Sequence, residues 1–192
     1  EHMALHAQRH PEKPALVCND IVLSWGAFDR QQNQIANALR ARGVGRGDKV
    51  GILTDNSNDA VAVYFGTLKA GAAVASLPTI VTADSLATMI VDCAAKLLIV
   101  SESYLERVAS IRDQLSIDQD AYIAIGTPPP GWQGLESWRD AASDAAPPIV
   151  NQPDDDACLI YSSGTTGVPK GIVLTHYCRL NHAYLMSAEQ RF

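Results

Sequence analysis

The stretch VGILTDNSNDAVAVYFGTLKAGAAVASL, residues 50–77, decides the fold class, because two short apolar runs enclose a segment of helical periodicity. Residues 50–53 and 73–77 have the length and composition of buried strands. Between them, apolar side chains at helical spacing predict a helix over about residues 59–69, which Gly71 ends. A strand, a helix and a second strand in direct succession favour two parallel strands joined by a crossover helix.

The same alternation extends in both directions along the chain. The remaining predicted strands are 97–100, 122–125, 157–161 and 171–174, and the remaining helices are 25–42, 84–93, 103–115 and about 135–142. Ser24 stands at the N-cap of the first of these helices, and Gly43 stands at its C-terminal stop. The pattern predicts an α/β fold, a mainly parallel sheet flanked by helices on both faces.

A proline-rich, acidic segment divides the chain. Residues 145–156 include Pro147, Pro148 and Pro153 and end on three aspartates, which is typical of a linker. It would separate an alternating α/β subdomain, residues 1–144, from a strand–loop–strand segment, residues 157–192, that includes the start of a following helix. The three aspartates are expected to be solvated, since calcium loops space their ligands along a longer turn.

Composition excludes several classes of protein. A formal net charge of -6 argues against a broad nucleic-acid-binding surface. No apolar run approaches the roughly 20 residues of a membrane span. The four cysteines are widely spaced without a C-x-x-C pair, so we expect no metal site and a reducing, cytoplasmic setting.

The sequence YSSGTTGVPKG, residues 161–171, carries the chemistry and joins two strand-like runs. Its two glycines allow the backbone to approach an anion closely, its hydroxyls can donate hydrogen bonds, and Lys170 adds a mobile positive charge. The candidate phosphate ligands are Ser162, Ser163, Gly164, Thr165, Thr166, Gly167 and Lys170. The spacing differs from that of the Walker loop. Composition alone is equally compatible with a hairpin loop that bears a surface lysine.

Residues 161–171, followed by IVLTH at 172–176, closely resemble the signature loop of the adenylate-forming superfamily. That superfamily includes acyl- and aryl-CoA synthetases, adenylation domains of peptide synthetases and beetle luciferases. Residues 43–52, 64–72 and 92–100 are also similar to it, in family order. The chain departs from the usual pattern at Ser76, where proline is frequent, and at Cys178, where asparagine is frequent.

The resemblance implies the N-terminal part of the large domain of an acyl-CoA synthetase-like fold. It implies that a small carboxylic acid, in the leading interpretation a fatty or other acyl acid, reacts with ATP to give an acyl-adenylate and is then transferred to coenzyme A. Lys170 and Thr166 would be catalytic, and His176 has either a substrate-side role or a capping and packing role. The ligands of Mg²⁺ are expected outside this chain.

Because members of the superfamily are much longer, the chain is expected to be a fragment that cannot catalyse the complete reaction alone. Apolar surface left uncovered would favour a homo-oligomer. Two alternatives remain open: an amino-acid-activating adenylation domain, and a non-catalytic nucleotide-binding protein that kept the loop.

Overall fold

The computed structural model describes residues 2–162 and 169–190. Its helices are α1 His2–Arg9, α2 Trp25–Ala41, α3 Asn58–Ala70, α4 Ala83–Asp92, α5 Leu105–Ala109, α6 Leu135–Asp140 and α7 His176–Gln190. Its strands are β1 Pro14–Cys18, β2 Ile21–Ser24, β3 Lys49–Leu53, β4 Ala73–Ser76, β5 Leu97–Ser101, β6 Tyr122–Ile125, β7 Gln133–Gly134, β8 Asp156–Ser162 and β9 Lys170–Thr175. Within the described residues, no helix is both long enough and apolar enough to cross a membrane.

Seven of the described strands form one sheet in the order β7-β6-β5-β3-β4-β8-β9. Neighbouring strands run parallel from β7 to β8, and β9 is antiparallel to β8. β1 and β2 form a separate antiparallel hairpin. The predicted α/β architecture with a mainly parallel sheet is confirmed.

Two cores cover the two faces of the sheet. On one face, side chains of α2, α3 and α6 pack on alternate residues of the central strands, such as Val50 and Val74. On the other face, α4 and α5 pack on the intervening residues, such as Leu53 and Leu98. Residues that alternate along a strand point to opposite faces, so a strand buried on both sides is continuously apolar. This explains why the strands read as unbroken apolar runs.

Local sequence signals set the helix ends. Ser24 accepts a hydrogen bond from the backbone N–H of Ala27 at the start of α2, as expected for an N-cap. Gly71 ends α3 with φ 99°, a left-handed conformation that glycine adopts without strain. Within α3, a Cβ added to Gly66 would lie 2.7 Å from the Cβ of Ile35 in α2. The close crossing of these two helices therefore depends on glycine at that position.

The predicted helix over residues 103–115 is interrupted. It consists of a 3₁₀ turn at Glu102–Tyr104, α5, and a second 3₁₀ turn at Arg112–Gln114. The N–H of Ile111 donates to the carbonyl of Val108, three residues earlier, so the helical ladder tightens and stops. Burial of Ile111 against the sheet accompanies this turn.

The turn of the N-terminal hairpin has a recognisable sequence, which apolar periodicity did not identify. Cys18 pairs with Ile21, and the two residues between them are Asn19 and Asp20. Both have positive φ, 48° and 64°. Asparagine and aspartate tolerate this conformation, and a two-residue turn that requires it matches the twist of a hairpin.

The proline-rich segment lies along α2 and α3. Side-chain amides of Asn33 and Asn37 donate to backbone carbonyls of Asp144 and Ser143, at 2.9 and 2.7 Å. We call residues 143–155 the strap. Its last residue, Asp155, forms a two-point ion pair with Arg46 at 2.7 and 2.8 Å, unlike the solvated aspartate that was expected. After this segment, β8 pairs with β4 in the same sheet. The division of the chain into separate folding units, residues 1–144 and 157–192, stays a prediction.

Candidate functional site

The two ends of the candidate phosphate loop are neighbours in the sheet. Ser162, the last residue of β8, lies directly opposite Lys170, the first residue of β9. Directly opposed residues of an antiparallel pair point to the same face, with Cβ atoms about 4.5–5.5 Å apart. Both residues are exposed. A hydroxyl and an ammonium group therefore emerge side by side at the base of the loop.

The register identifies the face on which they emerge. Ile52 pairs with Ser76, Ser76 with Ile160, and Ile160 with Ile172, which makes one row across β3, β4, β8 and β9. Ser162 and Lys170 are two residues further along their strands, so they share the face of this row. They lie at the carboxyl end of β8, the edge where open α/β sheets bind ligands.

A cleft of about 510 Å³ opens on the same face. It lies between the hairpin strand β1, the first turns of α3 and the carboxyl ends of β3 and β4. Its apolar wall includes Leu16, Ile52, Val61, Phe65 and Leu77, and its polar groups include Thr54, Asn56, Ser57 and Ser76. Volume and mixed lining are those of a small-molecule site. Through Ile52 and Ser76, the cleft is continuous with the row that leads to the loop.

Tyr64 of α3 connects the cleft with α7. Its ring lines the cleft. Burial is the main cause that raises the pKa of Tyr64 to about 12, and a hydrogen bond with the Cys158 thiol is the second. The positive charge of Arg179 in α7 lowers this pKa. The phenol therefore keeps its proton to a higher pH than an ordinary tyrosine does, and it can donate a hydrogen bond.

On the opposite face of the loop base, Tyr161 binds α4. Its hydroxyl lies 2.7 Å from the Asp92 carboxylate and 2.9 Å from the Met89 carbonyl oxygen. Burial, and next the hydrogen bond with Asp92, raise the pKa of Tyr161 well above its usual value. The single phenol proton, which these two acceptors share, is therefore harder to remove than that of a free tyrosine. The sequence motif did not reveal this role, although the alternation of β8 places Tyr161 opposite to Ser162.

His176 lies at the other end of β9. Its backbone N–H donates to the carbonyl of Asp155, and its Nε2 lies 2.8 Å from the side-chain amide nitrogen of Asn151. Because that amide group donates, Nε2 is assigned as the acceptor. Burial lowers the pKa of His176, and Asp155 partly opposes this effect. Six residue steps of about 3.4 Å separate His176 from Lys170, roughly 20 Å, so this chain does not bring them together.

The other candidate ligands of phosphate lie outside the described residues: Ser163, Gly164, Thr165, Thr166 and Gly167. Of the predicted site, the structure thus brings together Ser162 and Lys170. Across residues 2–162 and 169–190, no three histidine, cysteine, aspartate or glutamate side chains converge as metal ligands would.

Comparisons with known proteins find relatives over most of this chain. A linear gramicidin synthase of Brevibacillus parabrevis is 34% identical over 198 residues, which cover 100% of this chain and 4% of that protein. The 3-hydroxybenzoate/4-hydroxybenzoate CoA ligase of Thauera aromatica is 32% identical over 173 residues, 88% of this chain and 33% of the ligase. This chain thus spans about a third of that ligase.

A solved structure gives the same correspondence in three dimensions. The anthranilate CoA ligase AuaEII, in complex with anthranoyl-AMP, superposes with a TM-score of 0.86 at 31% identity, over 91% of this chain and 34% of that one. The family model described as AMP-binding enzyme matches residues 3–192. Because the family model covers nearly the whole chain, this chain belongs to the AMP-binding enzyme family.

Proposed function

We propose that the protein activates a carboxylic acid with ATP to an acyl-adenylate and transfers the acyl group to coenzyme A. The observation that carries this proposal is the pair Ser162 and Lys170. In a member of the AMP-binding family, they flank the glycine-rich loop on one exposed face, at the carboxyl end of β8. Chemistry suited to polyphosphate is therefore located at an edge suited to ligand binding.

In the first step, a carboxylate oxygen of the acid attacks the α-phosphorus of ATP, and the bond to the β-phosphate oxygen breaks. Pyrophosphate leaves with the added negative charge. Lys170 neutralises that charge, and the hydroxyl of Ser162 donates a hydrogen bond to it. We assign residues 163–167, with Thr166 as a catalytic hydroxyl, to the β- and γ-phosphates by the same chemistry. Mg²⁺ would share the neutralisation, through ligands outside this chain.

In the second step, the thiol of coenzyme A loses its proton to solvent and attacks the acyl carbonyl carbon, the carbon–oxygen bond to AMP breaks, and AMP leaves. Two relatives above 30% identity, the hydroxybenzoate and anthranilate CoA ligases, support a CoA ligase. We extend the class of acids to aryl as well as fatty acids on this basis. A fatty acid–acyl-carrier-protein ligase of Streptomyces coeruleorubidus, 29% identical, keeps fatty acids in the panel to be tested.

A second candidate function is amino-acid activation for peptide synthesis. The 34% identity with the gramicidin synthase, across 100% of this chain, favours it. It predicts the same first step with an amino acid as the carboxylate, and no need for coenzyme A. The third candidate, nucleotide binding without turnover, predicts ATP binding with no pyrophosphate release.

ATP–pyrophosphate exchange by the full-length protein separates these functions. Benzoates, fatty acids and amino acids are supplied in turn, and acyl-CoA formation is then measured with the acid that gives the fastest exchange. We expect exchange with an aryl or fatty acid, followed by CoA-dependent thioester formation. Exchange only with amino acids would support the second function, and ATP binding without exchange would overturn the first two. The isolated 192-residue chain should show no exchange, and detectable turnover would refute that expectation.

The setting of the reaction is part of the proposal. All four cysteines lie in the described part of the chain and are free thiols, which fits a reducing cytoplasm. β9 and α7 expose Ile172 and Leu180, at 49% and 45%, and we propose that this surface drives self-association of the isolated chain.

A further inference from the structure

The side chain of Tyr161 connects three parts of the molecule that meet at the base of the phosphate loop. Its hydroxyl binds Asp92 and the Met89 carbonyl at the end of α4, at 2.7 and 2.9 Å. Its backbone is paired with Gly171 of β9, directly beside the Ser162–Lys170 pair. One residue thus joins both strand ends of the loop to a helix of the sheet's other face.

The ring of Tyr161 also occupies the space over Gly171. A Cβ added to Gly171 would lie 3.4 Å from Cε1 of Tyr161 and 3.4 Å from a methyl group of Leu159. Both separations are ordinary van der Waals distances, so the ring of Tyr161 packs beside the backbone of Gly171. This contact adds to the backbone pairing that joins Tyr161 to Gly171.

The position of β9 matters for Lys170 because strand faces alternate. A slip of one residue between β8 and β9 would move Lys170 to the face of α4, away from Ser162. β9 is the edge strand of the described sheet and pairs on one side with β8 alone, so it has few other contacts to fix its register. The fixed end of α4 supplies a reference through Asp92 and Met89.

We propose that Tyr161 is a positioning residue that holds the β8–β9 pair in register against α4, so that Ser162 and Lys170 face the leaving pyrophosphate together. This inference rests on the proposed function for its effect on catalysis. The structural part of the inference, that Tyr161 keeps β8 and β9 in register, does not depend on the identity of the substrate.

The first test compares Tyr161→Phe with Tyr104→Phe in the full-length protein. Both substitutions remove a phenol that is hydrogen-bonded to an aspartate, Asp92 in one case and Asp55 in the other, but Tyr104 belongs to neither β8 nor β9. We expect Tyr161→Phe to lower kcat of ATP–pyrophosphate exchange about five- to tenfold, the scale of one lost hydrogen bond, with little change in KM for the acid. Tyr104→Phe should leave kcat within about twofold.

Asp92→Asn and the double variant Tyr161→Phe/Asp92→Asn complete a cycle. If both residues act through their mutual contact, the double variant is no slower than the slower single variant. Equal losses for Tyr161→Phe and Tyr104→Phe, or multiplied losses in the double variant, would overturn a positioning role for the contact.

Amide hydrogen exchange of the same variants separates this inference from the proposed function. Tyr161→Phe should accelerate exchange of amides in β8 and β9 near Gly171 several-fold, while amides of β3 and β5 keep their rates. If the unmodified protein shows no ATP–pyrophosphate exchange with any acid, the proposed function fails and the amide rates alone decide about Tyr161. Unchanged rates in β8 and β9 would refute the inference even in an active enzyme.

Discussion

Replacement of Lys170 by alanine should damage catalysis far more than folding. Lys170 is exposed at the start of β9, opposite the exposed Ser162. Lys49, Lys69 and Lys96 form ion pairs, whereas Lys170 has no such partner among residues 2–162 and 169–190. Its ammonium is therefore available for a ligand, and its removal breaks no ion pair within that part of the fold.

The two expected magnitudes differ enough to be separated. Substitution of an exposed residue without such partners changes the free energy of unfolding by about 0.5 kcal/mol or less. Removal of one group that stabilises charge in the transition state lowers kcat by about 10²–10³-fold, which corresponds to about 3–4 kcal/mol. Lys170→Arg keeps the positive charge and should recover part of the rate.

The assay is ATP–pyrophosphate exchange, paired with urea unfolding of the same preparations. Lys96→Ala is the matched control, because it removes the same charge at the start of β5, on the opposite edge of the sheet. Its ion pair with Asp48 is partly exposed and contributes about 1 kcal/mol or less. We expect normal exchange from that control. A loss of less than tenfold for Lys170→Ala, or a loss matched by an equal fall in stability, would refute the assignment of Lys170 to pyrophosphate.

Three further outcomes follow from other parts of the structure. Gly66→Ala should lower the urea midpoint of unfolding, because the added Cβ would lie 2.7 Å from Ile35. Such overpacking costs about 1–3 kcal/mol, whereas the gain in helix propensity is about 1 kcal/mol. An unchanged or raised midpoint would contradict this. Burial lowers the pKa of His176 in the folded protein. The contribution of neutral His176 to the free energy of unfolding should therefore be fully present above pH 6.5, its usual pKa, and be lost as the pH falls from there through the folded pKa. In urea unfolding at several pH values, His176→Asn should lose less stability on acidification than the unmodified protein does. Identical pH profiles for the two proteins would contradict the lowered pKa of His176. The isolated chain should scatter light as an oligomer at high concentration and Leu180→Glu should restore the monomer, whereas a monomer at every concentration would exclude the exposed surface as the cause.

Much of the fold was predictable because its signals are local. Apolar runs marked β3, β4, β5, β6 and β8, helical spacing marked the helices between them, and Ser24 and Gly71 marked helix ends. Each of these signals depends on residues within one or two turns or on a strand's own length. The strands on either side of the loop were predicted for the same reason.

The break within residues 103–115 was not predictable from periodicity. Leu105, Val108 and Ile111 are all buried, as the helical pattern requires, yet the helix stops after Ala109. A 3₁₀ turn places side chains at similar spacing, so the apolar pattern is compatible with both. Packing of Ile111 on the sheet, a contact between distant segments, accompanies the tighter turn.

By itself, the sequence determined the fold class, the alternation of strands and helices, and the glycine-rich loop between two strands, because these depend on propensity and spacing along the chain. Tertiary structure alone decided the strand order, the common face of Ser162 and Lys170, the contact of Tyr161 with Asp92, and the contact of His176 with Asn151. Those features depend on which strands become neighbours and in which register. That choice minimises free energy over the whole sheet, and no local stretch of residues specifies it.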